Sequence, residues 1–326
     1  MRAVVCSALG DIDGLVVRDV PEPELRRGCV RIAVQAAGLN FADTLIVAGK
    51  YQVKPPLPFS PGFEVAGEVL ECGDDVRGCR PGDRVTALLD WGGFAEQAIA
   101  SEDNVFVLPA AVDPVIAAAF PVAYGTSHFG LKVKAGLRTG ETLLVHGAAG
   151  GVGLTAVECG KRLGAIVIAT ASGPEKQEVA RAAGADFTLD ARAPDLKDRV
   201  KELTANRGVD VVYDPVGGTL FESSLRCTAD GGRILVVGFA SGDVPQIPAN
   251  ILLVKNIAAI GFYYGGCRAL QPEAWRASMQ ELVDWLGQGL IRPHVSHTYR
   301  LEEAIEALNA LKARKSTGKV VLTISG

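Results

Sequence analysis

The stretch T-L-L-V-H-G-A-A-G-G-V-G, at residues 142–153, is an apolar run that breaks into a glycine-rich loop. Its apolar part is typical of a buried parallel strand, and residues 152–163 have the composition of a helix that ends at Gly164. Gly150 lets the backbone approach a pyrophosphate, and Gly153 lets the helix pack closely on the strand. We therefore predict a dinucleotide-binding loop. The residues expected to line it are Ala149, Gly150, Gly151 and Val152.

The usual fingerprint of such loops is G-x-G-x-x-G, and Ala148 replaces its first glycine in this chain. The surrounding sequence supports the assignment, because a second apolar run at 165–170 follows at the spacing of a βαβ unit. The alternative interpretation is a glycine-rich turn with a purely structural role.

The residues after that second run indicate which dinucleotide binds. An NAD site places Asp or Glu there, about 20 residues beyond the loop, to hold the ribose 2′-hydroxyl. This chain has A-T-A-S-G at 169–173 and no acidic residue until Glu175. Ser172 can donate a hydrogen bond and Lys176 can supply a positive charge, which suits a 2′-phosphate. The sequence predicts NADPH over NADH, unless Lys176 is a solvated residue of the next helix.

Length and composition predict two domains and argue against several classes of protein. The chain has 326 residues, of which 48% are hydrophobic, and its formal net charge of -4 gives no electrostatic basis for nucleic-acid binding. No stretch reaches the apolar length of a membrane span, and the N-terminus lacks the apolar core of a signal peptide. The seven cysteines are scattered and odd in number, as expected of reduced thiols, so we predict a cytoplasmic protein.

The two expected domains differ in their pattern of segments. Roughly the first hundred residues are β-rich, with strands expected at 30–35, 65–69, 84–88 and 105–108. Six strands between 142 and 261, mostly separated by helices, indicate a doubly wound parallel sheet. Helices near 273–288 and 301–312 follow. A final strand at 319–324 is expected to return to the first domain, since the parallel sheet already has its six strands.

Motifs along the whole chain carry a family resemblance. They are A-A-G-L-N-F-A-D at 36–43, P-G-F-E-V-A-G-E-V at 61–69, G-D-R-V at 82–85, P-V-A-Y-G-T at 121–126, H-G-A-A-G-G-V-G at 146–153, D-P-V-G-G at 214–218 and G-K-V-V-L at 318–322. In this order they resemble the medium-chain dehydrogenase/reductase superfamily, and most of all its zinc-independent quinone oxidoreductase branch. The resemblance implies an α/β protein with a Rossmann doubly wound parallel sheet at 124–264 and a β-rich, GroES-like catalytic domain at 1–123 and 265–326.

The resemblance also implies an activity, because members of that branch reduce quinones or activated carbon–carbon double bonds with NADPH. Zinc-dependent relatives carry a cysteine where this chain has Asn40, and a histidine where it has Phe63. Neither side chain can replace a thiolate or imidazole ligand, and the relatives' four-cysteine zinc lobe is also absent from the sequence. We therefore expect a metal-independent reductase whose substrate is a quinone or an α,β-unsaturated carbonyl compound.

Three residues are candidates for catalysis by this resemblance. Asn40 is expected to touch the nicotinamide or its ribose, with an Asx-type turn as the alternative. Asp43 is expected to position this segment rather than to transfer a proton. Tyr51 matches a tyrosine over the substrate cleft, and it either donates to a carbonyl oxygen or forms a wall. No histidine is placed as a general acid, so the source of the second proton, solvent or a side chain, stays open at this point.

Five further residues match cofactor contacts in relatives. Thr126 is expected to bond the carboxamide or ribose, or else to cap a helix. Val216, Gly238 and Phe239 come just after predicted strands and are expected to line the path from adenosine to nicotinamide, unless these are ordinary turns. Lys319 is expected to approach the cofactor phosphates, or else to be solvated.

One departure from the relatives bears on the choice of cofactor. Ala191 stands where some relatives carry a tyrosine against the 2′-phosphate, and the neighbouring Arg192 is the residue that could compensate. This departure loosens the NADPH prediction slightly.

Two other functions stay open beside the quinone or enone reductase. An enoyl-thioester reductase needs a basic cluster for a carrier phosphate, and only Lys50 and Lys54 flank Tyr51. A catalytically silent NADPH-binding protein is the second alternative, although Asn40, Tyr51 and the glycine loop are intact. The resemblance further implies a homodimer, for which edge-to-edge pairing of the strand near 257–263 is the physical route.

Overall fold

The glycine-rich stretch lies in one of two structural units of a computed structural model, which describes residues 1–324. The β-rich unit comprises Met1–Val122 and Met279–Gly326. The parallel-sheet unit comprises Ala123–Ser278.

The strands within the described residues are, in chain order, β1 (Arg2–Val5), β2 (Val16–Asp19), β3 (Cys29–Leu39), β4 (Glu64–Cys72), β5 (Arg84–Leu88), β6 (Gln97–Ser101), β7 (Val105–Val107), β8 (Thr142–Val145), β9 (Ile166–Ala171), β10 (Phe187–Asp190), β11 (Val209–Asp214), β12 (Thr228–Val236), β13 (Ala258–Gly261), β14 (Val295–Arg300) and β15 (Lys319–Thr323).

The α-helices in the same part of the chain are α1 (Phe41–Val47), α2 (Pro114–Ala118), α3 (Pro121–His128), α4 (Gly151–Arg162), α5 (Pro174–Ala182), α6 (Leu196–Leu203), α7 (Gly218–Cys227), α8 (Ala249–Lys255), α9 (Tyr264–Leu270), α10 (Pro272–Gly287) and α11 (Ala304–Lys312). A π-helical stretch, Phe129–Lys134, continues α3. Among residues 1–324, no helix combines the length and the apolar character needed to cross a membrane.

The sheet of the parallel-sheet unit has six strands in the order β10-β9-β8-β11-β12-β13, and every neighbouring pair is parallel. The order of the strands reverses between β8 and β11, so the sheet is doubly wound and has its switch point there. Ligands of such sheets bind beyond the carboxyl ends of the strands at the switch point. The glycine-rich loop follows β8 at that position, and the predicted sheet is confirmed.

Local sequence explains the elements around this loop. All four residues of β8 are buried, as expected of a strand that helices cover on both faces. Gly164, with φ of +85°, takes the left-handed conformation that ends α4 after its cap at Leu163. The predicted helix end is therefore confirmed.

The sheet of the β-rich unit has seven strands, in the order β14-β15-β3-β4-β5-β7 with β6 also paired to β3. The central strand, β3, shifts register against β4 between Arg31 and Ile32 and again between Val34 and Ala36. Such bulges bend a strand and increase its twist. β15 pairs antiparallel with β3, with Val320 opposite Leu39, which confirms that the last strand returns to the first domain.

The second boundary between the units falls later than the sequence indicates. The prediction placed residues from 265 onward in the β-rich domain, whereas the structure keeps the chain in the parallel-sheet unit up to Ser278. Aromatic packing explains the difference, because the ring of Tyr264 lies 6.5 Å from Phe129, 6.3 Å from Phe262 and 6.3 Å from Trp275, measured between centroids. This cluster fixes α9 and the start of α10 to the parallel-sheet unit.

Candidate active site

The glycine-rich loop is fixed at the carboxyl ends of the central strands. The backbone N–H of Ala148 donates to the carbonyl oxygen of Thr170, at 3.0 Å, which ties the loop to β9. Gly150 precedes α4 in an extended conformation, and Gly151 and Val152 form the first turn of that helix. The N–H groups of a first helical turn have no partner within the helix and carry a positive partial charge. This geometry suits a pyrophosphate.

Close packing explains the glycine positions of the loop. A Cβ on Gly153 would overlap the carbonyl group of Gly147, so a side chain there would push α4 away from β8. The predicted packing role of Gly153 is therefore confirmed. Gly147 has a φ of +58°, whereas Ala148 is not among the residues with positive φ. The turn thus uses Gly147, and the fingerprint tolerates Ala148 because its backbone needs no left-handed conformation.

Three candidate residues for the 2′-phosphate lie around the end of β9. Ser172 is exposed there, and Lys176 is in the first turn of α5. The guanidinium Nη2 of Arg192 lies 3.7 Å from the position that a Cβ on Gly173 would occupy. Because Gly173 directly follows Ser172, the structure brings Ser172 and Arg192 to one place. A carboxylate is also close, since Asp190 Oδ1 lies 3.6 Å from Arg192 Nε.

The residues that follow β11 and β12 come together as well. Asp214 Oδ1 accepts hydrogen bonds from the N–H groups of Val216, at 2.8 Å, and Gly217, at 2.9 Å, which shapes the turn after β11. A Cβ on Gly238 would lie 3.4 Å from the carbonyl oxygen of Pro215, and one on Gly217 would lie 3.1 Å from the ring of Phe239. The predicted cofactor residues Val216, Gly238 and Phe239 therefore share one edge of the sheet. Their contact with a cofactor stays a prediction.

The structure limits the possible roles of two polar residues in the parallel-sheet unit, His146 and Thr126. His146 is fully buried, and its ring nitrogens lie 2.9 Å from Thr170 Oγ1 and 2.8 Å from Ser224 Oγ. Burial lowers the pKa of His146, which favours a neutral ring with a structural role. Thr126 lies inside α3, which begins at Pro121, so it is not the helix cap that was the alternative.

In the β-rich unit, Asp43 fixes the start of α1. Its Oδ2 accepts from the backbone N–H of Asn40 at 2.7 Å, and its Oδ1 accepts from that of Gly62 at 3.1 Å. Complete burial raises the pKa of Asp43 to about 7, although these two bonds and the charge of Lys319 oppose the increase. Asp43 thus joins the segment of Asn40 to the segment that precedes β4, the geometry expected of a positioning residue.

The side chain of Asn40 is held between two opposite charges. Its Nδ2 donates to Glu64 Oε1 at 2.7 Å, and its Oδ1 accepts from Lys319 Nζ at 2.7 Å. Lys319 and Glu64 also form an ion pair of 2.7 Å, with side chains that are 4% and 0% exposed. Asn40 is also the N-cap residue of α1 and shares a capping box with Asp43, so the turn-type role at the helix start stands beside the bonds to these charged groups.

The environment of Lys319 also differs from the predicted one, because its ammonium group is bound to Asn40 and Glu64. Its third hydrogen bond goes to the carbonyl oxygen of Leu39 at 2.7 Å, so all three donors of the ammonium group are used inside the β-rich unit. The solvated alternative is wrong. The arrangement is also not that of a lysine presented to a phosphate, because Glu64 neutralises the charge and no donor is left.

Tyr51 packs beside Phe63. The ring of Tyr51 is half-buried, and it lies with Phe63 on the apolar core of the β-rich unit. This contact agrees with the alternative in which the ring of Tyr51 forms a wall. A hydrogen bond from its hydroxyl to the substrate stays a prediction.

Comparisons with known proteins match both units. The family model described as alcohol dehydrogenase GroES-like domain matches residues 26–110, and the one described as zinc-binding dehydrogenase matches 151–285. A quinone oxidoreductase-like protein 2 homolog of Nematostella vectensis is 42% identical over 98% of this chain and 88% of its own length. The quinone oxidoreductase of Pseudomonas aeruginosa is 38% identical over 98% of this chain and 99% of its own. The chain belongs to the quinone oxidoreductase branch of the medium-chain dehydrogenase/reductase superfamily.

Solved structures of this superfamily confirm the fold class. A mycobacterial protein complexed with NADPH has a TM-score of 0.92 and 34% identity, covering 99% of this chain and 100% of its own. The quinone oxidoreductase of Escherichia coli, also complexed with NADPH, has a TM-score of 0.91 and 31% identity with the same coverage of 99% and 100%. The family and the combination of a Rossmann sheet with a GroES-like domain were both predicted from the sequence.

A zinc ion does not fit the residues of this quinone oxidoreductase-like site. Phe63 has no donor atom, and both ends of the Asn40 amide are bound to Glu64 and Lys319. Residues 1–324 contain no group of three or more His, Cys, Asp or Glu side chains that could hold a metal. These residues therefore offer a zinc ion no set of ligands at this site.

Sequence reasoning missed Glu64, although it quoted the motif that contains it. A glutamate at the start of a strand as apolar as E-V-A-G was a usable signal, because a buried carboxylate needs a charged or hydrogen-bonding partner. Gly38 belongs to the same arrangement, since a Cβ there would overlap the carboxylate of Glu64.

Proposed function

We propose that this protein is an NADPH-dependent, metal-independent reductase that transfers a hydride to a quinone or an α,β-unsaturated carbonyl compound. The observation that carries the proposal is the amide of Asn40, which is fixed between Lys319 and Glu64 where zinc-dependent relatives place a metal ligand. Without a metal, an acceptor must be electron-poor itself, and the protein must orient it and donate hydrogen bonds.

The cofactor proposal is supported by two regions of the parallel-sheet unit. Gly150, Gly151 and Val152 offer the helix N-terminus for the pyrophosphate. Ser172, Lys176 and Arg192 provide a hydroxyl and two cations near the end of β9, which suits a 2′-phosphate. The two solved relatives that contain NADPH agree with this assignment. When bound, the nicotinamide supplies the hydride.

The residues of the β-rich unit orient the acceptor and stabilise its charge. Asn40 has one amide N–H bound to Glu64, and its second N–H remains to donate to the oxyanion that forms on the acceptor. Tyr51 supplies a second donor, its hydroxyl, at the acceptor. Asp43 holds the backbone of Asn40 and transfers no proton, and the proton that completes the reduction comes from solvent.

The proposal extends to the assembly and the compartment. β13 is one of the two edge strands of its sheet, and the preceding helix α8 exposes Leu253 and Val254 to 76% and 74%. An edge strand beside exposed apolar side chains supports pairing of two copies through β13. Sedimentation at micromolar concentration should give twice the monomer mass, and a monomer would refute the dimer.

All seven cysteines are free thiols, which agrees with a reducing compartment such as the cytoplasm.

A substrate screen tests the function. NADPH oxidation should be measured with p-benzoquinone, an alkenal and an enoyl-CoA, each against a blank without acceptor. Turnover of the quinone or the alkenal supports the proposal. Turnover of the enoyl-CoA alone would favour the thioester reductase. The carrier phosphate of its substrate would then have to bind the exposed Lys50 and Lys54. Tight NADPH binding with no turnover would favour the catalytically silent protein.

A further inference from the structure

The orientation of the Asn40 amide is fixed by the chemistry of its two neighbours. An ammonium group only donates hydrogen bonds and a carboxylate only accepts them, so Oδ1 must face Lys319 and Nδ2 must face Glu64. An isolated asparagine could take the flipped amide at similar energy. Here the flip would set the amide N–H groups against the ammonium and the amide oxygen against the carboxylate.

The ion pair itself is rigid because every polar atom in it is bound. Lys319 donates to Leu39, Asn40 and Glu64, each at 2.7 Å. The second carboxylate oxygen of Glu64 accepts from the backbone N–H of Val122, also at 2.7 Å. A buried ion pair is favourable only when its remaining donors and acceptors are satisfied, and this one meets that condition.

We propose that Lys319 and Glu64 are positioning residues for hydride transfer, which hold the second N–H of Asn40 in the direction of the acceptor oxygen. The inference rests on the proposed function, in which Asn40 touches the reacting acceptor. Asn40 is a buried residue, 9% exposed, so few water molecules compete for the hydrogen bonds of its amide. Within residues 1–324 the structure shows one acceptor for Nδ2, which is Glu64 Oε1. The other amide proton is therefore available to an oxyanion.

The predicted consequence is a loss of turnover without a loss of cofactor affinity. In Lys319→Met the amide loses the donor that fixes Oδ1, so Asn40 rotates and its donor is misplaced. A misplaced oxyanion donor should lower kcat by about tenfold to a hundredfold. The KM for NADPH should stay within about twofold, because the pair lies in the β-rich unit and the predicted phosphate contacts lie in the other.

Kinetics of a double-mutant cycle separate positioning from a general structural role. In the Asn40→Ala background, Lys319→Met should lower kcat no further, because the group that it positions is gone. The matched control is Arg233→Met, which breaks another half-buried ion pair, with Glu141 at 2.6 Å, in the parallel-sheet unit. The control should lower the melting temperature and leave kcat near the wild-type value. A full additional loss of kcat in the Asn40→Ala background would overturn the proposal.

A readout that needs no substrate keeps this test apart from that of the proposed function. The side-chain amide signals of Asn40 can be assigned by their disappearance in Asn40→Asp. In the wild type, the proton bound to Glu64 should be shifted downfield and exchange slowly, and Lys319→Met should abolish both effects. Unchanged amide signals in Lys319→Met would overturn the positioning role. If the wild type turns over no acceptor, the proposed function fails, and the amide signals still decide whether Lys319 orients Asn40.

A second variant covers the case in which Lys319→Met does not fold. Lys319→Met/Glu64→Gln removes both charges of the ion pair, so neither partner is left as an unpaired ion. It should show the same fall in kcat and the same loss of the protected amide proton. A folded double variant with wild-type kcat would overturn the proposal.

Discussion

The ring of Tyr51 packs against the ring of Phe63, with centroids 5.2 Å apart and planes inclined by 58°. By the family resemblance, Phe63 stands where metal-dependent relatives carry a zinc-ligating histidine, and its side chain has no donor atom for a metal. It directly precedes Glu64, the first residue of β4. The aromatic pair therefore connects Tyr51 to the strand that carries the buried ion pair with Lys319.

The first prediction is that activity does not depend on zinc. Phe63 offers no ligand atom and the Asn40 amide is engaged by two charged groups, so the site lacks the donors that zinc requires. The purified protein should contain no stoichiometric zinc and should keep full turnover after dialysis against a chelator. Metal analysis that finds one tightly bound zinc per chain, together with loss of turnover on its removal, would contradict this.

The second prediction concerns the hydroxyl of Tyr51. Tyr51→Phe keeps the packing on Phe63 and removes one hydrogen-bond donor, so turnover should fall modestly, by up to about a hundredfold, while NADPH affinity stays unchanged. Steady-state kinetics with one quinone and one enone measure both quantities.

Tyr299→Phe is the matched control, since Tyr299 lies in β14 and stacks on His297 in the same unit. It should behave as the wild type. An unchanged rate in Tyr51→Phe would make Tyr51 a wall residue, and complete inactivity would make its hydroxyl an essential proton donor.

The third prediction concerns the selection of NADPH. Lys176→Ala and Arg192→Ala each remove a cation near the end of β9, and a charge-assisted phosphate bond is worth about 1.5–3 kcal/mol. NADPH affinity should fall about ten- to a hundredfold in each variant, with little change for NADH. Titration of cofactor fluorescence measures both affinities.

Arg199→Ala, in α6, removes a charge from the same unit and serves as the control. It should leave both affinities unchanged. Equal losses for NADPH and NADH in Lys176→Ala would show that Lys176 does not read the 2′-phosphate.

The fourth prediction is a dependence of stability on the protonation of Asp43. Burial raises its pKa from 3.8 to about 7, so the folded protein retains a proton that the unfolded chain loses. The stabilising contribution is therefore fully present below about pH 4 and decreases as pH rises through 7. The slope in this window is about 1.4 kcal/mol per pH unit.

Comparison with Asp43→Asn isolates this contribution from other titrating groups. The melting temperature of the wild type, relative to that of the variant, should fall between about pH 4 and 7 and level off above 7. Two parallel curves over this range would show that Asp43 is ionised in the folded protein.

Local patterns predicted most of the parallel-sheet unit. The strand and helix around the glycine loop follow from an apolar run and from Gly164, because each feature acts within a few residues. The boundary at Met279 could not be predicted in this way. It depends on the ring of Phe129, which is distant in sequence from Phe262 and Tyr264 and meets them only in the folded chain, and on Trp275, which packs on Tyr264.

The sequence predicted the residues of the candidate site better than the contacts between them. Asn40 and Asp43 were identified through the motif that contains them, whereas the bond between Lys319 and Glu64 spans 255 residues and leaves no trace in local spacing. Lys319 was consequently expected at the phosphates. The ion pair can be identified only in the folded chain. There β15 pairs with β3, which places Lys319 beside the end of β3, next to Asn40.

The central claim is hydride transfer from NADPH to an electron-poor acceptor without a metal. The most direct measurement is a single turnover in a stopped-flow instrument, with chelator present, NADPH bound and p-benzoquinone or an enone added. We expect one NADPH to be oxidised for each acceptor reduced, and the reaction to slow when the transferring hydrogen of NADPH is deuterium. NADPH that stays reduced with every quinone and enone offered, or oxidation that requires added zinc, would contradict the account.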